Sequence, residues 1–586
     1  MKTLFLMLTF LMTPHSLSAA EPSREGRRTC LTFLHTSDVH ASLFSRDFLH
    51  GTPARQGLSS LYAYVCSLRS EGGRHLVLTD GGDCLQGQPA AYYYNCVDTL
   101  SPHLVARVMN DMHYDCVTIG NHDLETGHAV YDRWINQLQA PVLGANVLDS
   151  RTGDPYLTPY IIIEREGLKI ALLGMTAPTI PCWLPPVLWS GMRFEDIVTS
   201  CRRWVSHLRQ KEHPDLVVGV FHSGFHQGIR TAGGEENAVE EVARQVPGFD
   251  FILYGHDHRP AIHKVRCTDG AEVTCAAPGG GGARLVQVDV VVDCDAARHV
   301  RKKRVKARLV NASPYAQSLD AELLEAGYVE ERQALQQWMG QRVGILSADM
   351  DELDAFFGPS LFMDFIHQMQ LRLTGADISF CAPLSFNTFL KAGPLLVSDM
   401  FRLYKFENFL YTMRLTGNEV KDYLEMSYAL WTRQMHEPGD PLLRMAWQGG
   451  KVSFEHPTFN FDSAAGIRYT VDVSKPEGQR VSILSMADGT PFLLEREYRV
   501  ALNSYRGNGG GELLTKGAGL AGGELQGRIL HSTDSDLRLL LMQYIQRQDT
   551  VTPKLLDCWK FVPEDWVRAA REREKNQLVE ARSHCP

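Results

Sequence analysis

Five short clusters of metal-ligating residue types recur in the first half of the chain. They are Asp38-Val39-His40, Asp80-Gly81-Gly82-Asp83, Gly120-Asn121-His122-Asp123, Phe221-His222-Ser223-Gly224 and Gly255-His256-Asp257-His258. Imidazole, amide and carboxylate oxygens together suit divalent transition metals, and a carboxylate can bridge two ions. D-x-H and H-x-H spacing puts both side chains on the same side of an extended segment. Two cations held close together clamp a phosphoryl group and acidify a water. Ester hydrolysis on that plan needs no covalent enzyme intermediate, and the sequence has neither a Walker loop nor a GxSxG elbow.

Each cluster follows an apolar run. The runs are Leu31-Thr32-Phe33-Leu34, Leu76-Val77-Leu78, Cys116-Val117-Thr118-Ile119, Leu216-Val217-Val218-Gly219-Val220 and Phe251-Ile252-Leu253-Tyr254, with a further run at Ile170-Ala171-Leu172-Leu173. Such runs suit strands covered on both faces, with helices between them. Loops just past the carboxyl ends of such strands converge on one crevice. Residues 316–341 are rich in helix formers and read as a linking helix, interrupted before Trp338 only by Gly327. A second domain over 342–550 mixes helix (361–373, 420–430) with strand (467–473, 498–502), and 551–586 read as a charged helical tail. The fold class expected is α/β, or α+β taken over both domains.

The 586 residues allow two to four domains at roughly 100–200 residues each. Lys and Arg number 59 against 68 Asp and Glu, a formal charge of −9, which disfavours a nucleic-acid polymer as partner. Lys2, the apolar 4–12 stretch and Ser18-Ala19-Ala20 form a secretory leader over 1–20, too short to span a membrane. With no Cys directly after it and no later long apolar run, an exported, periplasmic or secreted chain without a stable membrane anchor is expected. Thirteen Cys is an odd number; Cys267 and Cys275 flank a short turn and could pair, though the sequence does not assign a bridge.

The order D-x-H, G-D, G-N-H-D, H and G-H-x-H resembles the calcineurin-like metallophosphoesterases, and within them the secreted 5′-nucleotidase group, which includes UDP-sugar hydrolases and 2′,3′-cyclic-nucleotide 2′-phosphodiesterase/3′-nucleotidases. The resemblance runs from Leu31 to about Leu541. It implies a four-layer β-sandwich flanked by helices, a smaller α/β substrate domain, and two divalent ions (manganese, zinc, cobalt or iron). Asp38 and His40 then match ligands of the first metal and Asp83 the bridge. Asn121, His222 and His256 match ligands of the second metal, and His258 one of the first. His122 matches the catalytic histidine. Glu125 stands where many relatives place an orienting Asp, with Asp123 as the alternative. Glu236-Asn237-Ala238 reads as structural.

For the second domain the resemblance implies a base sandwiched by Phe461, in Phe459-Asn460-Phe461-Asp462, and Tyr505, in Asn503-Ser504-Tyr505-Arg506-Gly507-Asn508, with Arg506, Asn508 and Glu512 as further substrate contacts. Leu403-Tyr404-Lys405-Phe406-Glu407-Asn408 reads as a packing segment and pocket wall. Gly511 replaces the acid that clamps ribose hydroxyls in 5′-nucleotidases, and Pro383-Leu384-Ser385-Phe386-Asn387 lacks their phosphate-binding Arg. The expected substrates are therefore 2′,3′-cyclic and 3′-nucleotides. A 5′-nucleotidase or UDP-sugar hydrolase is the alternative enzyme, and a silent nucleotide-binding protein the alternative of another class.

Overall fold

The apolar runs become the central strands of two mixed, six-stranded sheets packed face to face in the first domain of this computed structural model, which describes residues 27–49, 51–72, 75–231, 233–295, 297–448 and 451–583. The leader expected at 1–20 lies outside the described residues. One sheet runs, in spatial order, Val300–Asn311, Arg284–Cys294, Arg28–Thr36, Leu76–Asp80, Cys116–Thr118, Val142–Leu143. The other runs Ala261–Arg266, Glu272–Ala277, Phe251–Tyr254, Leu216–His222, Leu168–Thr176, Tyr160–Arg165. Alternation sorts the side chains. Phe33, Val77 and Cys116 meet Leu172, Val218 and Leu253 between the sheets. Their neighbours Leu34, Leu78 and Val117 face the helices Leu58–Ser70 and Leu104–Met112, while Ala171, Val217 and Ile252 face Ile197–His207 and Val239–Gln245. These are the four layers. All seven residues of Leu216–His222 are buried, which explains its unbroken apolar sequence.

Arg28–Thr36, Leu76–Asp80 and Cys116–Thr118 run parallel, as do Leu168–Thr176, Leu216–His222 and Phe251–Tyr254. Their carboxyl ends therefore lift the ligand-bearing loops to a common rim.

The second domain centres on a five-stranded sheet ordered Ser463–Ala465, Ile378–Cys381, Glu497–Asn503, Phe409–Thr416, Ile529–Asp536. The helix Gly417–Trp431 starts at a capping box: Thr416 Oγ1 accepts from the Glu419 N–H (3.2 Å) and Glu419 Oε2 from the Thr416 N–H (2.7 Å). Ser360 caps Leu361–Thr374, which ends at Gly375 in the left-handed region.

Three expectations change in detail. The link is two helices, Leu319–Ala326 and Val329–Met339, broken at Gly327-Tyr328. The segment after 550 is no appended tail: Trp559–Val562 pairs parallel with Ile467–Asp472, and Ala570 and Leu578 of the helix Glu564–Ser583 enter the second domain's core. Cys267 and Cys275 are both free and buried. Strand register sets Cys275 opposite His263, so the two cysteines are not cross-strand partners.

The domains share an aromatic contact. Tyr92 stacks on Trp338 (6.2 Å between centroids), and the buried Arg538 lies over Phe401 and Tyr92 at 4.1 and 4.8 Å.

Candidate metal centre and adjoining cavities

Five of the expected ligands sit where the backbone is strained. Asp38, His40, Asp83, His256 and His258 have φ of 52°, 48°, 59°, 87° and 55°. Such conformations cost of order 1–3 kcal/mol each and persist only where the surroundings impose them. Two glycines permit the crowding. A Cβ on Gly120 would lie 2.2 Å from Asp83 Oδ1, and one on Gly255 would lie 1.8 Å from Ser37 Oγ.

The side chains converge as two groups sharing Asp83: Asp38, His40, Asp83 and His258, and Asp83, His222 and His256. His40 Nε2 lies 3.0 Å from His258 Nε2, and His258 Nε2 lies 3.5 Å from Asp38 Oδ1. In the other group His222 Nε2 is 3.0 Å from Asn121 Oδ1, 3.2 Å from Asp83 Oδ2 and 3.2 Å from His256 Nδ1. Donors at 2.0–2.1 Å from one ion in tetrahedral array lie about 3.3 Å apart, so both groups fit a cation. The remaining ring nitrogens fix the tautomers. His40 Nδ1 faces the Gln86 carbonyl (3.0 Å), His222 Nδ1 the Gly81 carbonyl (2.7 Å) and His256 Nε2 the Glu236 carboxylate (2.9 Å). Glu236 thus orients a candidate ligand, a role its sequence neighbourhood did not reveal.

The charge state suits cations. Burial opposes ionisation of Asp38, yet the His258 contact and His222 hold its carboxyl down at about 2. Burial pushes the His40 imidazole down to about 4, leaving it neutral.

His122 lies at the junction. Its Nδ1 is 2.5 Å from Glu125 Oε2. Burial disfavours its charge, but the carboxylates of Asp83 and Glu125 outweigh that and raise it to about 10. Asp123 does not orient it. The Asp123 carboxylate is fully buried and accepts from the backbone N–H of Asp83, Cys84, Leu85 and Gly120 at 2.8–2.9 Å, tying two ligand loops together.

Two cavities open on the centre. One, about 340 Å³, is lined by Asn121, His122 and His256 and by Trp183, Phe406, Phe459 and Tyr505. The Phe406 and Tyr505 rings stand edge-on to Phe459, at 86° and 88° and at 5.9 and 6.0 Å, and the three rings line this cavity as an aromatic slot. The other, about 760 Å³, touches His40, His122 and His258.

The slot corrects four expectations. Phe461 is fully buried and stacked on Trp431 (5.8 Å, 6°) among Phe356 and Phe454, out of reach of any ligand. Arg506 is buried, with Nε 3.0 Å from Asp462 Oδ2, and its guanidinium donates to Asn460 Oδ1 and the carbonyls of Phe459 and Gly510; it braces the slot's loops. Asn508 Nδ2 donates to the Trp183 carbonyl (3.1 Å), joining the domains. Glu512 pairs with Lys516 (2.8 Å) and does not line the slot. Tyr505 does line it. Phe406 lies in the segment expected to form a pocket wall; Trp183 was missed because nothing local separates a pocket aromatic from a core one.

Residues 31–260 match the calcineurin-like phosphoesterase family and residues 341–516 the 5′-nucleotidase C-terminal domain. The chain is 25% identical, over 95% of its length, to a trifunctional nucleotide phosphoesterase protein of Bacillus subtilis, of which it spans 40%. It is 25% identical, over 94% of its length, to a 2′,3′-cyclic-nucleotide 2′-phosphodiesterase/3′-nucleotidase of Yersinia enterocolitica, spanning 91% of that protein. The solved 5′-nucleotidase precursor from Thermus thermophilus shares the fold, with a TM-score of 0.60 and 21% identity over 91% of this chain and 100% of that one. Sheets, ligand order and matches agree: the chain joins a calcineurin-like phosphoesterase domain to a 5′-nucleotidase C-terminal domain.

Proposed function

We propose that the protein hydrolyses nucleotides, with 2′,3′-cyclic and 3′-nucleotides preferred, to nucleoside and phosphate. The observation that carries this reading is the aromatic slot beside Asn121, His122 and His256, from which a stacked nucleoside presents its own phosphate to the ligand groups. Two divalent ions, held by Asp38, His40, Asp83 and His258 and by Asp83, Asn121, His222 and His256, would supply Lewis-acid polarisation and an acidified water. His122 donates to a phosphoryl oxygen as negative charge grows there, while Glu125 holds its Nδ1–H and its orientation. Phe406 and Tyr505 grip the base by its faces, which every base offers, so base selectivity is weak.

Gly511 supports the preference for the 2′/3′ side. Its φ is +68°, and a Cβ there would lie 2.2 Å from both Arg506 Nη1 and Asn460 Oδ1, so no acidic ribose clamp fits at that position. The Yersinia relative's name points the same way. The leader at 1–20 marks the chain for export, and intact mass of the exported protein should show Glu21 as its first residue.

The test is kcat/KM for 3′-AMP, 2′,3′-cyclic AMP, 5′-AMP and UDP-glucose with manganese. The first two should lead. A lead for 5′-AMP or UDP-glucose would replace this reading with the 5′-nucleotidase or UDP-sugar hydrolase one.

A further inference from the structure

The helix layer of the first domain stops short of the sheet edge. Helix Leu58–Ser70 reaches the edge strand Val300–Asn311 only near its end, where Val310 is buried and Arg308 donates to Tyr64 Oη (2.8 Å) and Gln287 Oε1 (2.9 Å). Val305, Ala307 and Leu309 point between the sheets. Alternation therefore sends Lys302, Arg304, Lys306 and Arg308 to the outer face, and all four are exposed. Register places Asp293, Val291, Asp289 and Gln287 opposite them, with Arg28 beyond Asp293 on the next strand.

Cations outnumber carboxylates on this face. Arg28, Lys302, Arg304, Lys306 and Arg308 share it with Asp289 and Asp293. Both carboxylates are engaged. Asp293 accepts from Arg28 Nε (2.8 Å) and lies 2.9 Å from Arg304 Nη2, and Asp289 accepts from Thr32 Oγ1 (3.1 Å) and Gln287 Nε2 (2.8 Å). Lys303 turns to the other side and pairs with Asp250 (2.6 Å), whereas among the described residues Lys302 and Lys306 form no ion pair. On a chain with a formal charge of −9 this is a local reversal of sign. It lies away from the ligands: Arg28 starts the strand whose far end, Thr36, precedes Asp38, and eight steps of strand span roughly 26 Å.

We propose that this outer face docks the protein reversibly on an anionic bilayer, cations against lipid phosphates, with the metal-binding rim turned away from the lipid. A plane of phosphates meets every cation of a sheet face at once. Its potential falls off within a Debye length, so the acidic remainder of the chain does not oppose the contact. A second copy is a poor occupant, because lysines on an edge strand repel the same edge of another chain. A long polyanion is a poor one too, since beyond the roughly 20 Å between Lys302 and Arg308 it meets a net-acidic surface. Docking does not depend on which nucleotide the centre takes.

The experiment is co-sedimentation of the chain from Glu21 onward, free of the apolar leader, with vesicles of phosphatidylcholine alone or mixed with phosphatidylglycerol. Binding should require phosphatidylglycerol and should vanish at about 1 M salt, where screening leaves a reach of ~3 Å. Lys302→Glu/Lys306→Glu should weaken it by about tenfold or more, and Lys302→Arg/Lys306→Arg should keep it. Lys302→Gln/Lys306→Gln should give a smaller loss without setting glutamates opposite Asp293 and Asp289. Lys391→Glu/Lys554→Glu, at exposed lysines of the second domain, changes net charge as much as the first pair and should leave binding intact. Turnover of p-nitrophenyl phosphate should be the same in every variant. Equal binding to both kinds of vesicle, or an equal loss in the second-domain pair, overturns bilayer docking. Retention on immobilised polyuridylate without retention on vesicles also overturns it and gives the face to a nucleic-acid strand.

Discussion

The metal centre and the aromatic slot are built in opposite ways. The centre draws every candidate ligand from one domain, from loops at the ends of parallel strands, with backbone strain and the Asp123 carboxylate fixing their spacing. The slot takes Trp183 from one domain and Phe406, Phe459 and Tyr505 from the other, and the Asn508–Trp183 hydrogen bond spans the boundary. On the function proposed above, chemistry is held within one domain and substrate choice across an interface. Damage to the first should appear in kcat and metal content, and damage to the second mainly in KM.

The largest effect expected is loss of metal. Chelation should abolish turnover, and added manganese, cobalt or zinc should restore it; full activity in demonstrably metal-free protein would break the comparison at its root. Asp83 belongs to both ligand groups, so Asp83→Asn should lower metal stoichiometry as well as turnover. His122→Asn should keep its metals and lose roughly 100- to 1,000-fold in kcat, the usual effect of removing a donor to transition-state charge. Elemental analysis beside steady-state kinetics checks both, and equal metal loss in the two variants would refute the division of roles.

A pair of phenylalanines sharpens the contrast further. Phe461→Ala should destabilise the protein by roughly 3–5 kcal/mol, because a large buried ring leaves a cavity. Phe406→Ala should leave the melting temperature nearly unchanged and raise KM for nucleotides, a loss of about 1–3 kcal/mol of stacking, with less effect on an aryl phosphate. Thermal melts and kinetics on both variants decide it. The smallest effect expected is at Glu512→Ala, where an exposed pair with Lys516 contributes at most about 1 kcal/mol and kcat/KM for 3′-AMP should barely move.

The two regions also differ in how far the sequence discloses them. Asp38, His40, Asp83, Asn121, His222, His256 and His258 follow apolar strands at short fixed spacings, so local pattern and strand direction together bring them to one rim. Glu125 was named through the family resemblance, three residues after His122, and its carboxylate lies against His122 Nδ1. The slot is not local. Phe459 and Phe461 lie two residues apart in one loop, and only the packing of Trp431, Phe356 and Phe454 decides which faces the core. Arg506 has the charge expected of a phosphate contact, yet Asp462 and three backbone or amide oxygens engage it in the interior.

The helix Glu564–Ser583 gives its residue Arg582 to the wall of the larger cavity, close to the other end of the chain from Asp38 and His40. During synthesis the metal-binding loops emerge long before the helix that completes the cavity beside them. Every candidate ligand lies within the first domain, whereas Ala570 and Leu578 of that helix sit in the second domain's core, so clipping the C-terminus removes a cavity wall and core contacts of the second domain together.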